Sequence, residues 1–234
     1  MVLQSSLEEG RSVIERVEND GLFRELALVG KAFASEKRLR LLGVMAQGER
    51  TVEGLARTVG LGVTTVSSHL QILRSSGLVT TRREGTRVYY RLSGDDVAAL
   101  FVAFRSVAAT RSANVERELA ILFASHGADT VEVITRDELR TIPTEGLAVI
   151  DVRPNEEFLA GHIPGAWSVP LDELPRRVDE LASSSEIVAY CRGAHCVMAH
   201  DAVHVLHAHD MVARRLEDGM VEWHLAGLPV EVGA

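Results

Sequence analysis

"TVEGLARTVGLGVTTVSSHLQILRSSGLVTTRREGTRVYYRL", residues 51–92, decides the fold of the first half of this chain. Thr51 is placed to cap a short helix, "VEGLARTVG", which Gly60 and Gly62 punctuate. In "TTVSSHLQILRSSGL", Val66, Leu70 and Leu73 fall at i, i+4 and i+7, the spacing of one buried helical face. "LVTTRREGTRVYYRL" sets β-branched and aromatic residues on both sides of a Glu84-Gly85 turn, which predicts a β-hairpin. Two short helices around a glycine turn, followed by an Arg-rich hairpin, make a winged helix-turn-helix, whose second helix enters the major groove of DNA. Opposite its apolar face that helix offers Thr64, Thr65, Ser68 and Gln71, flanked by Ser67 and His69, to base edges. Arg82, Arg83 and Arg87 in the hairpin would grip phosphate or enter the minor groove. A helical domain with a merely solvated basic edge is the alternative, and it accounts less well for the order of the elements.

Upstream, residues 11–46 predict helices, "LFRELALVGKAF" and, after a capping Ser35, "EKRLRLLGVM". Downstream, Ser93 to Asp96 fits a capping box and a long helix is expected to about Ser125. "HGADT" is the expected linker, and beyond it the pattern changes. "LAVIDV" and "EIVAYC" are short, nearly continuous apolar runs of the kind found in buried parallel strands. They alternate with helix-forming stretches such as "NEEFLAG", "DELPRRVDELA" and "CVMAHDAVHVLHAH". The expected chain is therefore multidomain. A mostly α winged helix-turn-helix with a β-hairpin wing spans 1–125, a linker 126–130, and an α/β domain with a central parallel sheet 131–234.

The net charge of −8 over 234 residues hides a division. Residues 35–92 carry 10 basic and 4 acidic side chains, whereas residues 129–234 carry 8 basic and 19 acidic ones. A basic module beside an acidic one implies different partners, with phosphate for the basic half. No apolar run approaches the roughly 18–20 residues of a membrane helix, so no membrane partner is expected. The N-terminus lacks a basic start followed by an apolar stretch, so a cytoplasmic protein is expected.

Both cysteines fall in "YCRGAHCVMA", residues 190–199. In a reducing compartment such a pair is more often catalytic, redox-active or metal-binding than structural. Cys191 ends an apolar strand and the next helix is expected to begin about Cys196, so five backbone N–H groups of the loop can turn inward as an anion cradle. That position lowers a thiol pKa, Arg192 adds positive charge, and Gly193 permits a tight turn. A thiolate there can attack sulfane sulfur and hold the transferred atom as a persulfide. His195 either helps activate a thiolate or faces solvent. His200, His204 and His207 share one helical face, which reads as exposed polar surface rather than a metal site. No metal and no cofactor are expected.

Residues 25–92 resemble the ArsR-type bacterial repressors, most specifically in "VSSHLQILRSSGLV" and "REGTRVYYRL". That resemblance implies a homodimer on a palindromic double-stranded operator, with the first and last helices as interface. Leu100, Phe101, Phe104 and Val107 are compatible with it, and equally with burial in one subunit. Metal-sensing members carry ligands that "RTVEGLART" and the long helix lack here. Residues 131–232 resemble the rhodanese domain through "VIDVRPNEEFLAGHIPGAWSVPLDEL", "VAYCRGAHCVMA" and "RRLEDGMVEWHLAGLPVEV". The resemblance makes Cys191 the sulfur acceptor and Arg192, Gly193, Ala194, His195 and Cys196 its cradle. It gives Asp151, Arg153, His162 and Gly165 a role in shaping the sheet and neighbouring loop. The six-residue loop suits sulfur, since related phosphatases and arsenate reductases have a loop one residue longer. Cys196 departs from plain rhodaneses and supplies a resolving thiol, or is simply a small apolar helix-start residue.

These readings together point to a repressor whose rhodanese domain senses reactive sulfur, with polysulfide or thiosulfate as donor. A sulfurtransferase that uses its N-terminal domain for DNA tethering or dimerisation is the second reading. A dithiol sensor of arsenite or another soft ion is the third.

Overall fold

A computed structural model of the chain describes residues 21–127 and 131–233. Residues 11–20 of the predicted helical stretch and residues 128–130 of the expected linker lie outside the described residues. Contacts divide the chain into two compact units. One holds the described part of Met1–Leu42 with Thr51–Ser93, the other Gly43–Arg50 with the described part of Gly94–Ala234. By contacts, residues 43–50 and 94–125 thus group with the C-terminal half, across the boundary expected at 125.

The first unit begins with α1 (Leu22–Phe33) and most of α2 (Glu36–Met45). After a two-residue strand β1 (Arg50–Thr51), the Thr51 hydroxyl accepts from the Gly54 N–H at 3.2 Å and starts α3 (Val52–Val59). Gly60, at φ 67°, ends it, because the left-handed cap conformation favours a residue without Cβ. Two residues later α4 (Val63–Ser75) turns Val66, Leu70 and Leu73 into the core with Leu41, Leu42 and Leu55. The wing follows as β2 (Val79–Glu84) antiparallel to β3 (Arg87–Leu92), with Glu84 opposite Arg87. Its turn residues are thus Gly85 and Thr86, one position beyond the expected pair. This is a winged helix-turn-helix.

In the second unit the predicted long helix is two, α5 (Asp95–Arg111) and α6 (Ala113–Ser125). Ser112 breaks the run: its backbone is extended and its hydroxyl accepts from the Val115 N–H at 3.4 Å. A serine offers the backbone such an alternative to the helical ladder. The predicted Ser93–Asp96 capping box does not form either. Gly94 is the N-cap of α5, and Asp96 instead accepts from its neighbour Val97 at 2.9 Å.

The α/β domain then runs β4 (Val133–Ile134), α7 (Arg136–Leu139), β5 (Leu147–Asp151), α8 (Asn155–Ala160), β6 (Trp167–Ser168) and α9 (Leu174–Arg177). It closes with β7 (Glu186–Tyr190), α10 (Met198–His207), β8 (Ala213–Leu216) and α11 (Met220–Leu225). Its five strands are parallel in the order β4-β8-β7-β5-β6. The two-residue period of a strand explains why the apolar runs are continuous. Ala148, Ile150, Ile187 and Ala189 pack with Leu174, Ala199, Val203 and Leu206 on one face. Val188, Tyr190 and Leu216 pack with Leu139, Phe158, Met220 and Trp223 on the other. Helices therefore cover both faces, and Cys191 extends the alternation of β7 onto the α10 face.

A buried ion pair sits at the end of β5. Arg153 and Asp151 are both fully buried, 2.5 Å apart, and Arg153 also donates to the Gly161 carbonyl at 2.7 Å. Removing one partner leaves an uncompensated buried charge. Asp151→Ala is expected to cost about 3–5 kcal/mol in urea unfolding; a loss below about 1 kcal/mol would show that the pair behaves like a surface one.

Candidate functional site

The sulfur loop, residues 191–197, connects β7 to α10, and α10 begins at Met198 rather than about Cys196 as expected. The Cys196 N–H is used by the Gly193 carbonyl at 2.9 Å, so it closes the loop as a turn instead of pointing inward. The amides that act on the thiols are those of Gly193 and Ala199, which lower the Cys191 pKa, and of Met198 and Arg192, which lower that of Cys196. The cradle thus draws two of its donors from beyond Cys196.

Both thiols are free, Cys191 buried and Cys196 half-buried. The Cys191 sulfur lies 3.5 Å from the Cys196 carbonyl oxygen. A hydrogen bond from the Cys191 thiol draws the Cys196 pKa down to about 6, helped by the Met198 and Arg192 amides and the Arg192 charge. The same bond, together with burial, pushes Cys191 up. The pair therefore gives up one proton readily.

Four charged side chains lie around the pair. Arg192 turns outward from the thiols and grips the buried Glu157 carboxylate through contacts of 2.6 to 3.1 Å. Glu157 is only 2 % exposed, so this pair is fixed rather than solvated. Arg105, on α5, carries the second positive charge: its field reaches both cysteines and Glu222. Burial, followed by the Arg105 charge, holds His195 below the usual histidine pKa, so the imidazole is neutral at pH 7. From the α11 side Gly219 meets the loop so closely that a Cβ on it would stand 2.1 Å from the Gly193 nitrogen. A Cβ on Gly193 would meet only the movable carboxylate of Glu222, at 2.9 Å, so it is Gly219 that close approach to backbone requires.

Sequence reasoning named Cys191 through Cys196, and the structure brings all six into one loop. It missed Arg105, Glu157, Gly219 and Glu222. An adjacent Glu156-Glu157 pair on a helix of six residues was a weak signal that one carboxylate is buried; nothing in the sequence marked Arg105. Among the described residues no group of three or more His, Cys, Asp or Glu side chains could hold a metal ion. The histidine stripe is not the exposed surface expected. His200 is buried, its Nε2 lies 3.1 Å from that of His204, and its ring meets Phe123 edge-on. Only His207 is exposed.

In the first unit Thr64, Ser68 and Gln71 of α4 are exposed and Thr65, Ser67 and His69 half-buried. His69 has a buried Nδ1 with no hydrogen-bond partner, and burial, then Arg38 and Lys37, lower its pKa. On the wing Arg83 and Arg87 are exposed, while Arg82 pairs with Glu84 at 2.9 Å and lies over the Tyr89 ring.

A winged helix-turn-helix joined to an α/β domain with a dithiol loop defines a helix-turn-helix regulator carrying a rhodanese-like domain. Residues 35–81 match the bacterial regulatory proteins of the arsR family, and residues 135–226 match the rhodanese-like domain. The HTH-type transcriptional regulator Rv0324 of Mycobacterium tuberculosis is 49% identical over 214 residues, covering 91% of this chain and 93% of that protein. The biofilm growth-associated repressor of Agrobacterium fabrum is 37% identical over 36% of this chain and 71% of its own length. Among solved structures, the homodimeric DNA-binding domain of Mb0332 from Mycobacterium bovis is 49% identical, covers 40% of this chain and 87% of that one, and has a TM-score of 0.39. The chain belongs to the ArsR family of transcriptional regulators, in the form that carries a C-terminal rhodanese domain.

The charge distribution in the loop makes reactivity pH-dependent. Because the Cys196 pKa is depressed to about 6, thiolate is the minor form below pH 6 and the major form above it. Iodoacetamide labelling of the reduced protein is expected to rise to half its maximum near pH 6, with the label on Cys196 in peptide mass spectra. A midpoint near the roughly 8.5 of a free cysteine would contradict the shared-proton arrangement.

Proposed function

We propose that this regulator binds a palindromic double-stranded operator as a homodimer and reads reactive sulfur through Cys191 and Cys196. The observation that carries the reading is two free thiols in one loop between β7 and α10, with the Cys191 sulfur 3.5 Å from the Cys196 carbonyl oxygen. In the step envisaged, the Cys191 proton passes to the Cys196 thiolate as a polysulfide or thiosulfate reaches the loop. The Cys191 sulfur attacks the donor's sulfane atom; an S–S bond forms, the donor's own S–S bond breaks, and its remainder leaves with the electron pair as a shorter polysulfide or sulfite. Cys196, deprotonated again, then attacks the inner sulfur of the Cys191 persulfide. Hydrosulfide leaves with the electron pair and a disulfide remains.

Two features favour sensing over turnover. Cys191 is 2 % exposed, which suits small donors and hinders bulky thiol acceptors. A neighbouring thiol resolves the persulfide internally, which ends the reaction after one event. In the DNA half, the exposed face of α4 and the exposed Arg83 and Arg87 support groove and phosphate contact. Exposed Leu22, Phe23 and Leu26 on α1 and Leu100 and Val107 on α5 support a dimer, since apolar patches of this kind mark interaction surfaces. No described helix is long and apolar enough to cross a membrane.

Fluorescence anisotropy on DNA from the gene's own upstream region tests the reading, with reduced, polysulfide-treated and dithiothreitol-rescued protein. Affinity is expected to fall about tenfold on treatment, within the usual range of allosteric coupling, to recover on reduction, and to stay unchanged in Cys191→Ser. Tight binding indifferent to polysulfide would overturn the sensor and favour a sulfurtransferase that turns over thiosulfate.

A further inference from the structure

Gln47 lies two residues beyond α2, outside residues 135–226 that match the rhodanese-like domain, yet it reaches the sulfur loop. Its Nε2 donates to the Arg192 carbonyl at 3.2 Å and its Oε1 accepts from Arg153 Nη1 at 3.1 Å. The side chain is 7 % exposed. Its orientation is chemically fixed, because a guanidinium has only donors and a carbonyl only accepts. Arg153 is itself immobilised by Asp151 and the Gly161 carbonyl, so the amide is held from behind.

The Arg192 carbonyl that Gln47 holds belongs to the same planar peptide as the Gly193 N–H. In a trans peptide the two groups point in opposite directions, and no cis peptide occurs among the described residues. The Gly193 N–H, on the far side, acts on the Cys191 sulfur and lowers the thiol pKa. One line of donors therefore runs from the Gln47 amide through the Arg192–Gly193 peptide to Cys191. Hydrogen bonds in such a chain polarise one another, so the amide facing the sulfur is both aimed and strengthened.

We propose that Gln47 is a positioning residue of the sulfur site, which aims the Gly193 amide at Cys191 and so stabilises negative charge there. The proposal rests on the sulfur-chemistry reading for the use of that charge, as thiolate or persulfide anion. It places a determinant of cysteine reactivity on the segment that follows α2 rather than in the rhodanese-like domain.

The test is the pH profile of Cys191 alkylation by iodoacetamide in full-length protein carrying Cys196→Ser, so that one thiol titrates. Gln47→Met removes both bonds. Gln47→Glu keeps the acceptor for Arg153, and with it the anchor of the fold, but cannot donate to the Arg192 carbonyl. In both, the midpoint is expected to rise by about half to one pH unit, a roughly three- to tenfold slower reaction at neutral pH, with circular dichroism unchanged. A midpoint equal to that of the Gln47 parent in the Glu variant overturns the proposal, whatever the Met variant does. Alkylation needs no sulfur donor, so the midpoint can shift even if polysulfide leaves the wild-type protein unmodified. That second result would defeat the sensor reading alone.

Discussion

A fully buried guanidinium organises the base of the dithiol loop. Arg153 pairs with Asp151, bonds to the Gly161 carbonyl and holds Gln47, so three donor directions of one side chain are satisfied without water. Burying such a charge is costly unless it is paired and bonded, and here it is both. The parallel register of β5 and β7 sets Asp151 opposite Tyr190, immediately before Cys191. The strand pairing that forms the sheet therefore also fixes the distance between the guanidinium and the base of the loop. Gln47 spans that distance.

Charge pairing around the loop gives the site its chemistry. Arg192, the loop's own cation, is committed to Glu157, and Arg105 shares its field with Glu222. The amides of Arg192, Gly193, Met198 and Ala199 are left to face the sulfurs, and backbone dipoles stabilise an anion without moving when it forms. The result suits a thiolate or a persulfide, each a single diffuse negative charge. The helix α2 carries buried Leu41 and Leu42 of the first unit and runs into the second, where the segment after it ends on Gln47.

Local patterns were legible in the sequence where short-range physics sets them. The Val66, Leu70 and Leu73 face, the Thr51 cap and the two-residue alternation of β5 and β7 all follow from spacing. Spacing also placed both thiols in one loop. Three things were hidden. Gln47 is 145 positions from the carbonyl it holds, a pairing no local signal encodes. The break at Ser112 depends on one hydroxyl winning a helical amide, within a stretch whose apolar content reads as continuous helix. How the two thiols share a proton depends on their mutual hydrogen bond, on burial and on different backbone amides, none of which composition shows. His200 was misread for a similar reason, since the contact with Phe123 of α6 lies outside the pattern of its own helix.

The most direct test of the account joins the chemistry to the DNA state in one sample. Operator-bound protein is treated with less than one equivalent of polysulfide, and the DNA-bound and released fractions are separated and weighed by intact mass spectrometry. The account predicts reduced protein in the bound fraction and, in the released fraction, either one added sulfur or the loss of two hydrogens from a Cys191–Cys196 disulfide. Modified protein in equal share in both fractions would contradict it, because sulfur at the loop would then have no bearing on DNA binding.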